Sequence, residues 1–307
     1  MFVLVTMWFF QNDIIYASAV PPNSRENVAL PSQYGLESFE DVHIKTADKF
    51  VIRGYFIKRG SEEETKKADV VLLLHDYSGN MGHRLPIAKA LYDTLKCNVF
   101  MLSYRGYGLS QGYTTEAGIK KDILAALGFL RSNPLTASSR IVIYGQSLGG
   151  AVAIDSVAEF QSEFSGLIVE NVFKSLPEMF ADTMPYVRWA KILVSDKWDS
   201  VKKLKQITKV PILFLLGEKD DYIPPEHTKE LFEISRSYSN TKVEFCSFKD
   251  GRHNNTCLQE GYFERINKWW NENITTSDRY IQTNYFNKMT LKPVDEKSSI
   301  DSKSKSE

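Results

Sequence analysis

From Phe39 to Phe248, apolar runs of strand length alternate with stretches whose apolar residues recur at helical spacing. That alternation predicts βαβ units on a mostly parallel sheet. The runs Val70 to Leu74, Val99 to Leu102, Ile141 to Tyr144, Gly166 to Val169 and Pro211 to Leu216 hold almost no polar residue, as strands covered on both faces require. Helical spacing marks Leu85 to Leu95, Glu116 to Leu130, Leu148 to Phe160 and Glu226 to Ile234, with Asn133-Pro134 stopping the second. The opening is different. Phe39 to Thr46 and Val51 to Ile57 alternate polar and apolar residues around Ala47-Asp48-Lys49, which predicts an antiparallel hairpin at a sheet edge. Lys58 to Lys67 reads as a solvated turn, and a last strand, Lys242 to Phe248, precedes a helix ending near Trp270.

Two stretches break the rhythm. Residues 174 to 209 carry Met179, Phe180, Met184, Tyr186, Val187, Trp189, Ile192, Leu193 and Trp198, more apolar side chains than an exposed excursion needs, so a short helical cap is expected there. From 277 to 307 the chain is polar and serine-rich, the composition of a disordered tail. Between an N-terminal segment of about 20 residues and that tail, residues 21 to 276 are expected to form one domain. The first ten residues are apolar except for Thr6. That run falls short of the roughly 18 residues that span a bilayer, and it lacks the basic start of a signal peptide. Three readings stay open for it: an interfacial anchor, the end of a longer anchor, or a packed N-terminal segment.

Charge narrows the partners. Lysine plus arginine is 38 and aspartate plus glutamate is 38, so no global field favours nucleic acid. Cys97, Cys246 and Cys257 make an odd set with no metal-ligand spacing, and read as inert thiols rather than a disulfide framework or zinc site.

Gly145-Gln146-Ser147-Leu148-Gly149 fits G-x-S-x-G, a pattern expected about 0.09 times by chance in a chain of this composition. Context gives it weight. It follows a strand and opens a helix, the placement of a nucleophile elbow, and Ser147 would stand at a helix N-terminus that favours a developing oxyanion. A serine hydroxyl needs a base, and the base an orienting carboxylate, in the chain order serine, acid, histidine. Asp220 lies just after the strand Pro211 to Leu216, with Asp221 as the neighbouring alternative. His253 follows the last strand in Gly251-Arg252-His253-Asn254, whereas His43, His75, His83 and His227 lie too early or on other elements.

Several stretches together resemble a known family. They are Ser78 to Ala88, Ser103-Tyr104-Arg105-Gly106-Tyr107-Gly108, Tyr144 to Gly150, Val169-Glu170-Asn171-Val172-Phe173, Gly217 to Pro225 and Gly251 to Thr256. In order, they resemble the α/β-hydrolase superfamily and, within it, the bud-emergence type of serine hydrolase related to animal α/β-hydrolase-domain proteins. The resemblance implies an eight-stranded, mostly parallel sheet with helices on both faces, the triad Ser147, Asp220 and His253, and an N-terminal membrane anchor. It also implies an oxyanion hole made by the backbone N–H groups of Tyr77 and Leu148. One departure stands out: His75-Asp76-Tyr77-Ser78-Gly79-Asn80 puts an aspartate where the family has glycine. A carboxylate there would oppose the oxyanion, so Asp76→Gly is expected to raise kcat, an effect that solvation or pairing of Asp76, for example with Arg84, would reduce. Arg105 is expected in a structural ion pair.

The activity implied is hydrolysis of an ester or thioester, of a small molecule, lipid or acylated protein, without metal or cofactor. A catalytically weakened membrane scaffold and a peptidase-like hydrolase are the alternatives. Membrane association through the N-terminus, with the hydrolase domain in the cytoplasm, is expected; the oligomeric state is left open.

Overall fold

The computed structural model describes residues 11–12, 15–183 and 185–275. The apolar segment 1–10, the polar tail 277–307 and Met184 of the cap lie outside the described residues.

Eight strands form one sheet: β1 Phe39–Lys45, β2 Val51–Ile57, β3 Val70–Leu74, β4 Asn98–Ser103, β5 Ile141–Gln146, β6 Gly166–Glu170, β7 Ile212–Gly217 and β8 Val243–Phe248. Their order is β1-β2-β4-β3-β5-β6-β7-β8. The hairpin β1–β2 joins β4 antiparallel, and every pairing from β4 to β8 is parallel. From β3 the chain steps to one side for β4 and to the other for β5. Such a reversal opens a crevice at the carboxyl ends of the strands, where ligands bind in open α/β sheets.

The α-helices whose bounds lie among the described residues are α1 Glu62–Lys67, α2 Leu85–Leu95, α3 Glu116–Ser132, α4 Leu148–Glu159, α5 Leu176–Thr183, α6 Ser200–Leu204, α7 Pro225–Tyr238 and α8 Tyr262–Asn273. Both sheet faces are covered. On one face Phe56, Phe100, Ile143, Val169 and Phe214 pack with Leu127 of α3, Ile154 of α4 and Leu231 of α7. On the other, Val71, Val142, Ile168 and Leu213 meet Leu91 of α2 and Ile266 and Trp269 of α8. Burial on both sides explains why these strands read as continuous apolar runs.

The charged stretch read as a turn holds the helix α1. Ser61 is its N-cap: its hydroxyl accepts from the Glu64 N–H at 3.3 Å, and the Glu64 carboxylate accepts from the Ser61 N–H at 2.7 Å. Ser-x-x-Glu is a capping box, a local signal that the reading of this stretch as a turn did not use. Residues 174 to 209 hold α5, a 3₁₀ segment Pro185–Leu193 and α6, and part of this excursion lies over the carboxyl ends of the strands.

Candidate active site

The strand register brings the candidate residues to one edge. Leu74 lies beside Gly145, Gln146 beside Glu170, and Gly217 beside Phe248. The loops that follow therefore leave the sheet side by side, and they carry Tyr77, Ser147, Asn171, Asp220 and His253.

Ser147 sits between β5 and α4 at φ 55° and ψ −120°, a backbone region that side-chain-bearing residues rarely occupy and that costs on the order of 1 to 3 kcal/mol. The strain is held in place. The Ser147 N–H donates to the Glu170 carbonyl at 2.9 Å. The flanking glycines are required by close approach. A Cβ on Gly145 would lie 2.1 Å from the Gly149 carbonyl oxygen, and one on Gly149 would lie 2.7 Å from the carbonyl oxygen of His75.

Asp220 and His253 meet: His253 Nδ1 lies 2.8 Å from Asp220 Oδ2, and both side chains are almost wholly buried. Asp220 Oδ1 accepts the N–H groups of Tyr222 and Ile223 at 2.8 and 2.9 Å, which fixes the carboxylate plane. Asp221, the sequence alternative, points outward to Arg252 at 3.2 Å. Tyr222 stacks on the His253 ring with centroids 5.1 Å apart.

The histidine loop is tied down by two side chains to which sequence reasoning gave no role. Gln146 Nε2 donates to the His253 carbonyl, and Asn171 Nδ2 donates to it at 3.3 Å and to Thr256 Oγ1 at 3.1 Å. Asn171 Oδ1 also accepts from the Gly217 N–H at 2.8 Å. One amide thus clamps the ends of β6 and β7 to the histidine loop. Their signal was present: Gln146 lies inside the elbow pattern, and Asn171 in a stretch that carries the family resemblance.

The loop after β3 is equally fixed. The Tyr107 hydroxyl donates to the Tyr77 carbonyl at 2.7 Å, and the Tyr104 hydroxyl to the His75 carbonyl at 3.1 Å. His75 lies 2.8 Å by Nδ1 from the Asp76 carbonyl and accepts the Tyr104 N–H at Nε2 at 3.3 Å. Only a neutral ring protonated at Nδ1 satisfies both contacts. Burial lowers its pKa to about 4, which keeps it in that form. Leu148 opens α4 immediately after Ser147, and both Leu148 and Tyr77 line the cleft.

Asp76 takes the pairing with Arg84 that reduces the effect expected from its charge. Its side chain is buried and its Oδ2 lies 2.5 Å from Arg84 Nη2. Burial alone would lower the pKa of Arg84, but Asp76 outweighs that effect and raises it. The carboxylate is a neutralised tether between the loop after β3 and the start of α2, rather than a free charge. Arg105, as expected, is structural: it bonds Asp122 at 2.9 Å and Asp48 at 2.8 and 3.0 Å.

Ser147 and His253 open into a cavity of about 360 Å³ that is otherwise mostly apolar. Leu176, Met179, Phe180 and Thr183 of α5, together with Val194, form its cap side, and Ile15 and Tyr222 contribute to its wall. Ile15 was not foreseen. It belongs to a segment that crosses the site, where Ala17 pairs with Ser78 and Gly79 N–H donates to the Val20 carbonyl at 2.7 Å.

The prolyl oligopeptidase family matches residues 112–277. Schizosaccharomyces pombe Protein bem46 is 40% identical over 270 residues, covering 87% of this chain and 88% of its own length. The chain belongs to the α/β-hydrolase family, in its bem46-like branch. A Saccharomyces cerevisiae relative whose name describes it as a membrane protein is 31% identical and covers 86% of this chain and 89% of its own. The Pyrococcus furiosus esterase Pf2001 shares the fold, with a TM-score of 0.66 at 23% identity over 80% of this chain and 97% of its own. Among the described residues of this hydrolase-fold chain, no helix is long and apolar enough to cross a membrane.

Proposed function

We propose that the protein is a serine hydrolase that cleaves an ester or thioester bearing an apolar acyl group, with Ser147 as nucleophile, His253 as general base and acid, and Asp220 as orienting carboxylate. The observation that carries this reading is the buried contact of 2.8 Å between His253 Nδ1 and Asp220, beside a serine held at positive φ in the same cleft. With Nδ1 turned to Asp220, Nε2 remains to take the Ser147 proton as the hydroxyl attacks the carbonyl carbon. The tetrahedral oxyanion is received by the N–H groups of Leu148 and Tyr77, the first at a helix N-terminus. Collapse expels the alcohol or thiol, which takes the proton from His253. Water, deprotonated by the same ring, then releases the acyl group from Ser147.

The apolar cavity favours a hydrocarbon acyl chain, on a lipid or an acylated protein. Its peptidase-type family match supports acyl transfer from an amide as a second reading. The pairing of Asp76 with Arg84 speaks against the scaffold alternative, which rested on a free charge there. The name of the yeast relative and the apolar residues 1–10 support association with a membrane.

A fluorophosphonate probe tests the central assignment. Wild-type protein should be labelled at Ser147, and Ser147→Ala should lose the label and lower kcat on a short-chain activated ester by roughly 10³-fold or more, at an unchanged melting temperature. Labelling elsewhere, or retention of more than about a tenth of the activity, removes Ser147 as the nucleophile.

A further inference from the structure

The cap presents an apolar stripe that the cleft does not use. In the 3₁₀ segment Pro185–Leu193, Tyr186 is 97% exposed, Trp189 53% and Ile192 76%. A 3₁₀-helix has three residues per turn, so side chains at i and i+3 eclipse, and these three line up along one edge. Arg188 and Lys191, both exposed, flank the stripe and have no ion-pair partner among the described residues. The segment is bracketed by Thr183 and Val194, both of which line the cleft. The stripe therefore lies at the rim of the cleft, where a soluble surface gains nothing from an exposed tyrosine, tryptophan and isoleucine in register.

We propose that this stripe docks the cap onto an anionic lipid surface, which sets the mouth of the cleft against the bilayer. Tryptophan and tyrosine favour the headgroup boundary, where an apolar ring and a polar edge are both satisfied. Arg188 and Lys191 complement anionic headgroups at the same depth. The chain supplies a second indication of the occupant. Gln11 Oε1 accepts the Ser195 N–H at 2.8 Å, three residues beyond Ile192, and in sequence Gln11 directly follows ten residues that are apolar except for Thr6. An N-terminal membrane segment and the stripe then engage one surface. The inference deepens the membrane association proposed above and does not depend on Ser147.

Co-sedimentation of the full chain with phosphatidylcholine vesicles containing phosphatidylserine tests it. Wild type and the triple variant Tyr186→Ser, Trp189→Ser, Ile192→Ser both carry residues 1–10, and the three exposed sites leave folding intact, which melting curves verify. The triple variant should bind at least about tenfold more weakly, and Arg188→Gln with Lys191→Gln should weaken binding to anionic vesicles but not to pure phosphatidylcholine. Equal binding by wild type and triple variant would overturn the stripe while leaving the N-terminal segment as anchor. Failure of wild type to bind would overturn both. A dimer that dissociates in the triple variant, without any change in vesicle binding, would assign the stripe to a second copy of the chain and overturn the lipid reading.

Discussion

The strand ends that carry Ser147, Asp220 and His253 and the excursion 174–209 above them are built on opposite plans. At the strand ends the groups that position the site are held from more than one side: Asp220 by two N–H groups and a histidine, the His253 carbonyl by Gln146 and Asn171, the Tyr77 loop by Tyr104, Tyr107 and Arg84. The cap is anchored at its descending leg, where Glu116 accepts the N–H groups of Lys197 and Trp198 and Asp196 accepts the Tyr16 hydroxyl. Its 3₁₀ segment exposes the apolar side chains Tyr186, Trp189 and Ile192. Chemistry demands geometry within tenths of an ångström, whereas apolar recognition tolerates adjustment. The contrast fits the proposed division, with reaction at the sheet and acyl choice at the cap.

Breaking the rigid side should have the largest effect. Arg84→Met leaves Asp76 charged, buried and unpaired, a change that costs about 3 to 5 kcal/mol of stability. Asp76→Gly leaves Arg84, which keeps 16% of its side-chain surface in water, and should cost less. Because Asp76 tethers the loop bearing Tyr77, its loss should lower kcat by about 10- to 100-fold rather than raise it. Urea unfolding and kcat on one neutral ester check both, and the double variant should recover most of the stability lost in Arg84→Met. A higher kcat in Asp76→Gly would show that the tether contributes nothing to the oxyanion loop.

His75 sharpens the same side through pH. Its pKa is about 4 in the fold, pushed down mainly by burial, against an ordinary value of 6.5. Between those values the unfolded chain binds a proton that the native ring refuses, so stability rises with pH across that window. The contribution is fully present above pH 6.5 and is lost as pH falls toward 4, to a total of about 3 kcal/mol. His227, also lowered by burial, acts in the same direction, so the measurement must be differential. Unfolding free energies from pH 4 to 7 should show a shallower pH slope in His75→Gln than in wild type, by about this amount. Parallel slopes would show that His75 is accessible to protons in the native loop.

Sequence alone reached much of the rigid side, for a physical reason. Strands buried on both faces leave uninterrupted apolar runs, and an elbow that admits no Cβ at Gly145 or Gly149 leaves a glycine pattern around Ser147. Asp220 and His253 followed from chain order. What stayed hidden depends on pairing across the fold: Asn171 and Gln146 lie 82 and 107 positions from the groups they hold, and nothing in their local pattern names a partner. The charge of Asp76 was legible, but the direction of its side chain was not, and direction decides whether a carboxylate opposes an oxyanion or holds a loop. The cap read as an apolar excess. Which of its side chains face the cleft and which face outward depends on where the α-helical period ends and the 3₁₀ period begins, a change that composition does not record.

The soft side should respond least and most selectively. Met179 and Phe180 line the cavity from α5 while packing only partly against the core, so truncating them enlarges the acyl pocket without opening a void in the sheet. An apolar pocket discriminates by roughly 1 to 3 kcal/mol per methylene at best. Met179→Ala with Phe180→Ala should therefore reduce the preference for an octanoyl over an acetyl ester, measured as a ratio of kcat/KM, by about tenfold. The acetyl ester itself should change little, since it does not reach the cap, and fluorophosphonate labelling should persist because Ser147 and His253 are untouched. If both esters fall together, the cap orders the site rather than selecting the chain. An unchanged ratio with a lowered melting temperature would mean that Met179 and Phe180 only fasten the cap to the sheet, and acyl choice would pass to the other wall, at Ile15 and Tyr222.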